Sequence, residues 1–161
     1  MKSMKFFLLL FLTPILLSIN SDCKDDLPLN KGIINFVNSK MNKKVGKGEC
    51  WDVANEALTL VNAKWDGGYK FGQEVNYKKE CIYPGDIIQF EKVKIKYVEN
   101  KMTYEEAMAH HTSIIYSVNG IGDYVLAHQN TAFTGRKVGK SNLKIENITT
   151  GTFTIYRPVA K

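Results

Sequence analysis

Apolar positions along this chain repeat with two different periods, and the change from one to the other divides it. Ile33, Ile34, Val37 and Met41 fall at helical spacing, which predicts an amphipathic helix from about Lys31 to Met41 with Asn30 as its N-cap. Ala54, Ala57, Leu58 and Val61 repeat the i, i+3, i+4, i+7 stripe and predict a second helix that starts near Cys50. A stretch rich in glycine and aromatic residues, Ala63 to Tyr83, reads as a long connection. Beyond Pro84-Gly85-Asp86 the pattern shortens. Ile87 opens a strand, and strand-like runs recur at Val93–Val98, Thr112–Val118, Tyr124–His128, Leu143–Ile145 and Phe153–Tyr156, with a helical turn expected near Tyr104–Met108. Helices first and strands afterwards predict a single α+β domain over residues 22–161, its N-terminal helices packed on an antiparallel sheet.

One segment stands outside this pattern. In residues 1–21, Lys2 and Lys5 precede an apolar run from Phe6 to Leu17, interrupted by Thr13 and by Pro14, which weakens the case for a retained anchor, and small or polar residues follow. That is the layout of a secretory signal peptide, and the run is shorter than the ~20 residues of a spanning helix. A secreted or periplasmic location is therefore expected. Asp22 stands where a lipid-modified cysteine would be preceded by a small residue, which disfavours an anchor at Cys23.

Charge changes the picture little. The 161 residues carry a formal +6, and loss of residues 1–21, which hold two lysines and no acid, leaves +4 (20 basic against 16 acidic). The lysines are dispersed and no block of five or six like charges occurs, so no nucleic-acid arm is indicated. Weak attraction to an anionic cell wall is compatible with the excess, and a monomer is expected.

Three cysteines and three histidines confine the candidate chemistry. In an exported chain Cys23, Cys50 and Cys81 allow one disulfide and leave one thiol. Cys50 precedes Ala54 by four residues, so it lies at the N-terminus of the second helix, where the helix dipole and free N–H groups favour a thiolate. The segments Thr112–Val118 and Asp123–Asn130 flank the turn Asn119-Gly120-Ile121-Gly122. If Val118 pairs with Asp123, Ser113 faces His128 and His111 faces Asn130, so these four share one side of the sheet and His110 points to the other. With the Cys50 helix packed on that side, a thiol, a base and a polar orienter would meet.

The segments Gly46-Lys47-Gly48-Glu49-Cys50-Trp51-Asp52-Val53-Ala54, Pro84-Gly85-Asp86-Ile87-Ile88, His111-Thr112-Ser113-Ile114-Ile115-Tyr116 and Val125-Leu126-Ala127-His128 together resemble the papain-like NlpC-type and CHAP-type cysteine hydrolases. The resemblance implies Cys50 as nucleophile, His111 as base and His128 as orienter, with Asn130 competing for the third role. Glu49, Trp51 and Gln89 depart from residues frequent in that group. With Asn130 they are candidates for substrate or oxyanion contacts. Cys23 and Cys81 are then the candidate disulfide.

The resulting expectation is a secreted cysteine peptidase or amidase, without cofactor or metal, that cleaves amide bonds in peptides of bacterial cell walls. Zinc held by Cys50, His111 and His128 is disfavoured because no CxxC pair or closely spaced histidine pair on one face accompanies them. The alternative is a catalytically inactive binding or effector module of the same fold, gripping a peptide or glycan through Trp65, Tyr69, Phe71 and Tyr77.

Overall fold

The computed structural model describes Cys23 and residues 27–161; the expected signal peptide lies outside them. In chain order the elements are helices α1 (Pro28–Lys40) and α2 (Asp52–Leu60), then strands β1 (Ala63–Lys64), β2 (Gln73–Val75), β3 (Ile87–Glu99), β4 (Met102–Gly120), β5 (Asp123–His128), β6 (Gly139–Lys144), β7 (Ile148–Arg157) and β8 (Val159–Ala160). A six-stranded sheet runs β2-β7-β3-β4-β5-β6, and its ladders are antiparallel; β1 and β8 form a small separate pair. The α+β class read from the sequence is the class observed.

Helix α1 starts three residues earlier than its apolar stripe predicts, because Pro28 occupies the first turn, where a missing N–H costs nothing. Leu27 is the capping residue, so Asn30 is not the N-cap. Its buried amide instead donates to Asp86 Oδ1 at 2.9 Å and to the Pro84 carbonyl at 3.0 Å. This ties α1 to the turn that launches β3. Gly85 (φ 91°) lies so close to Asn30 that a Cβ there would sit 2.6 Å from its carbonyl oxygen. Arg157 on β7 completes the knot by donating to both oxygens of the fully buried Asp86 carboxylate, at 3.2 and 2.8 Å.

The expected helical turn at Tyr104–Met108 is strand instead. Those residues pair with the β3 arm (Val93↔Met108, Ile95↔Glu106, Tyr97↔Tyr104), and the two tyrosine rings stack with centroids 5.1 Å apart. Cross-strand pairing of this kind overrides weak local helix preference. The 63–83 connection also contains two short strands, β1 and β2.

The sheet is buried on both faces. Ile87, Ile114, Ala127 and Tyr156 pack under α1 and α2 with Ile33, Val37, Val53 and Leu58. Ile88, Phe90, Ile115, Leu126 and Ile155 point the other way into a second core with Val93, Tyr124 and Leu143. Alternation along β4 therefore decides which side chains can meet α2. The β4–β5 register joins Ile114 to Ala127 and Ile115 to Leu126, as expected. Nearer the turn two irregularities intervene, and Val118 pairs with Tyr124 rather than Asp123.

Candidate active site

Cys50 lies in the turn entering α2, two residues before the first helical position. The turn is braced twice. Asp52 Oδ2 accepts the Glu49 N–H at 2.9 Å, and the buried Gln129 amide donates to the carbonyls of Val45 (2.9 Å) and Glu49 (2.8 Å) while its oxygen accepts the Val45 N–H (3.1 Å). The half-buried thiol meets β4 at its backbone. Sγ lies 3.9 Å from the His110 carbonyl, and the N–H groups of Thr112, Trp51 and Cys50 itself point at it. Burial pushes the thiol above its ordinary pKa; those N–H groups oppose the shift, and the Glu49 carboxylate adds to it.

Cys50 makes no hydrogen bond to His111 or His128; its sulfur meets the β4 backbone at His110 and Thr112, on either side of His111. Helix α2 packs on one face of the sheet and Cys50, just before it, meets the edge of β4; His111 opposes Phe90 and Ser113 opposes Ile88, so both share the opposite face, that of the second core. His111 and His128 do come together there, as the hairpin register implies. His111 Nε2 is 3.0 Å from His128 Nδ1; Ser113 Oγ is 3.1 Å from the same nitrogen; Ser141 Oγ is 3.0 Å from His128 Nε2. This is a satisfied buried polar cluster. Burial pushes His111 down to about 4 and His128 down to about 3. One step of the expectation differs in the structure: α2 packs on the other side of the sheet.

His110 is the histidine on the face that α2 covers. Its register partner is Glu91, and Nδ1 lies 2.8 Å from Glu91 Oε2. Partial desolvation pulls the Glu91 carboxyl up, and hydrogen bonds from His110 and Gln89 outweigh it, leaving its pKa below the ordinary value. Tyr69 stands edge-on to the imidazole, centroids 4.0 Å apart, and also meets Trp51 at 6.5 Å. Trp51 and Tyr69 thus form an aromatic wall beside the thiol. Gln89 is buried. It accepts the Thr112 hydroxyl at 2.6 Å and donates to Glu91 at 3.0 Å, with His110 3.4 Å away. It positions the histidine–carboxylate pair.

Asn130 does not face His111. It takes a left-handed conformation (φ 63°) just after β5 ends, which turns the chain toward α2, and its amide donates to Glu49 Oε2 at 3.0 Å. Arg136 holds the other Glu49 oxygen. The 130–136 loop is thereby clamped beside Cys50. Cys23 and Cys81 form a disulfide with Cα atoms 5.7 Å apart, and Cys50 is the free cysteine. No group of three or more His, Cys, Asp or Glu side chains suited to a metal occurs among the described residues.

The chain that forms these elements, a cysteine-bearing turn before a helix and an antiparallel sheet, matches a known family model. The AIM3/BBC1 cysteine proteinase-fold domain matches residues 29–161. The chain belongs to that family. Altered inheritance of mitochondria protein 3 of Debaryomyces hansenii is 26% identical over 145 residues, covering 79% of this chain and 15% of that protein. A crystal structure of Ly7917 with the hydrolyzing product of MDP superposes at a TM-score of 0.50 and 15% identity, over 80% of this chain and 62% of that one. That likeness concerns the fold. Within the AIM3/BBC1 domain, sequence reasoning missed Glu91, Gln129 and Arg136, set His110 aside, and read Tyr69 only as part of a loop that grips a peptide or glycan. Only the His110–Glu91 pair left a signal, as the other half of the His110-His111 alternation.

Proposed function

We propose that this cysteine proteinase-fold domain is a thiol hydrolase of peptide amide bonds, with Cys50 as nucleophile, His110 as base and Glu91 as the group that orients His110. The observation that supports the reading is a Glu91-bound imidazole on the α2 face of β4, carried by the residue whose own carbonyl Cys50 Sγ meets. In the cycle, His110 takes the Cys50 proton as sulfur attacks the carbonyl carbon. The C–N bond breaks, His110 returns the proton to the leaving amine, and water hydrolyses the thioester. The N–H groups of Cys50 and Trp51 are donors at hand for the oxyanion. Cell-wall peptides are the first substrates to test, since a structural neighbour was solved with the hydrolyzing product of MDP. We also propose export, which the basic-then-apolar pattern of residues 1–21 and the Cys23–Cys81 disulfide support.

One observation favours a second reading, a binding module without turnover. The Sγ hydrogen bond runs to the His110 carbonyl, not to an imidazole nitrogen, and burial holds the thiol in its protonated form. Incubation with muropeptides and mass spectrometry of the products separates the two. Hydrolysis that disappears in both Cys50→Ala and His110→Ala establishes the enzyme. Muropeptide binding without products, together with iodoacetamide labelling of Cys50 that ignores His110→Ala, establishes the binding module.

A further inference from the structure

The edge of β4 that faces β5 is only half used. Strand β5 pairs with β4 no further along than Ile114↔Ala127, and among the described residues β4 pairs with β3 alone from Met102 to His110. The chain leaving β5 at Asn130 turns away to Glu49, which opens a gap in the sheet plane beside β4. The near end of that gap is the thiol. His110 C=O and Thr112 N–H, which meet Cys50 Sγ, belong to alternate residues of an antiparallel strand and so lie along one edge, the side on which Ile114 pairs with β5. The far end opens into a groove of about 600 Å³ whose walls include Tyr97 and Glu106 of the β3–β4 arm, Phe133 of the clamped loop, and Ser141. Phe133 is 66% exposed and Val98, also on the groove wall, 69%, so this end presents apolar surface.

We infer that the acyl side of the substrate is an extended peptide that adds to this β4 edge as a further strand, with an apolar side chain against Phe133 and its scissile carbonyl delivered to Cys50. The inference rests on the thiol-hydrolase reading and names its substrate class. Unpaired strand edges recruit extended chains through main-chain hydrogen bonds, and nearby pockets select alternate side chains. Continuity with the thiol selects a substrate peptide over other occupants, because a chain hydrogen-bonded along this edge reaches Sγ at its end. Arg136 and Asn130, by fixing Glu49, keep the opposite wall in place.

The test compares acetyl-alanyl and acetyl-tetra-alanyl chloromethyl ketones on the full chain. In each, the C–S bond to Cys50 forms, the C–Cl bond breaks, chloride leaves and the thiol proton passes to His110. Two or more added main-chain hydrogen bonds should raise the labelling rate constant at least about tenfold for the longer probe. N-methylation of alternate peptide nitrogens should remove that gain. Phe133→Ala should reduce the preference when phenylalanine replaces one alanine, while iodoacetamide labelling of Cys50 stays unchanged. Equal rates for short, long and N-methylated probes overturn the inference; iodoacetamide labelling that ignores His110→Ala overturns the catalytic reading and not the edge. Amide hydrogen exchange supplies an arm free of chemistry. In Cys50→Ser, acetyl-tetra-alanine amide should protect β4 amides between Tyr104 and Thr112, and no protection overturns the proposal. Concentration-dependent protection without peptide, with a dimer in sedimentation, assigns the edge to a second copy and overturns it as well.

Discussion

His110 and His111 are neighbours in sequence and stand on opposite faces of β4: one imidazole meets Glu91 on the face that α2 covers, the other meets His128 in the second core. Their substitutions should therefore separate activity from stability. His110→Ala should cut turnover by about 10²–10⁴-fold and leave the urea midpoint nearly unchanged. His111→Ala leaves a cavity and a partly orphaned His128, so it should cost about 1–3 kcal/mol of stability. Iodoacetamide labelling of its folded fraction should still depend on His110. Urea melts and labelling rates on the two variants are the measurement.

The buried pair also sets a pH dependence. Both imidazoles are held neutral in the folded protein, His111 down to about 4 and His128 to about 3, whereas the unfolded chain protonates them near 6.5. The unfolded state thus binds more protons between those values, and stability rises with pH there. It should be complete above about pH 7 and fall as pH drops from about 6.5 toward 4, by up to about 1.4 kcal/mol per pH unit for each histidine. Replacing His128 by Gln should flatten this part of the curve. Urea midpoints from pH 4 to 8 on both proteins give the slope.

What the sequence made legible was periodic. The α1 and α2 stripes, the start of β3 at Ile87 and the local pairing of Ile114 with Ala127 follow from apolar spacing and turn residues. Alternation also correctly separated His110 from His111. Which face α2 would cover was not written in any local pattern, because both faces of β4 carry apolar residues: Ile114 serves one core and Ile115 the other. A sheet buried twice hides the choice between odd and even positions. Asn130 was misplaced for a related reason. Strand alternation was extended past His128, where a left-handed residue ends it.

Gln129 should be a positioning residue whose loss is felt at Cys50. Its three hydrogen bonds hold the Val45–Glu49 turn against the end of β5 and are fully buried on the Gln129 side. Gln129→Ala removes the brace and orphans two carbonyls and an N–H. A cost of about 2–3 kcal/mol is expected. In the folded protein kcat should fall more than KM rises, since the thiol's placement is disturbed while the β4 edge is intact. Steady-state kinetics well below the melting temperature, with Gln129→Glu as the shape-conserving comparison, distinguish positioning from general destabilisation.

The Asp86 carboxylate joins α1, the β3 turn and β7 through Asn30, Tyr83 and Arg157, and it is fully buried. Removing it with Asp86→Ala leaves the Arg157 guanidinium without its buried partner, and about 3–5 kcal/mol of stability should be lost. Arg157→Ala alone should cost a comparable amount, and the double variant less than the sum, because the second substitution removes a charge that the first had already stranded. A double-mutant cycle by urea denaturation measures the coupling. Additive losses would mean that the two side chains act independently despite their 2.8 Å contact.

The Cys23–Cys81 bond closes a span of 58 residues that includes α1, α2 and the turn carrying Cys50. Constraining a loop of that length in the unfolded chain is worth up to about 4 kcal/mol. Cys23→Ser/Cys81→Ser should therefore lower the melting temperature markedly. Cys50 lies inside the span but outside the bond, so its chemistry should survive wherever the reduced protein is still folded. In non-reducing conditions the native protein should show a single alkylatable thiol, at Cys50, and three after reduction. Peptide mapping after alkylation checks both counts. Finding Cys50 in a disulfide of the native protein would remove the nucleophile from the proposed cycle.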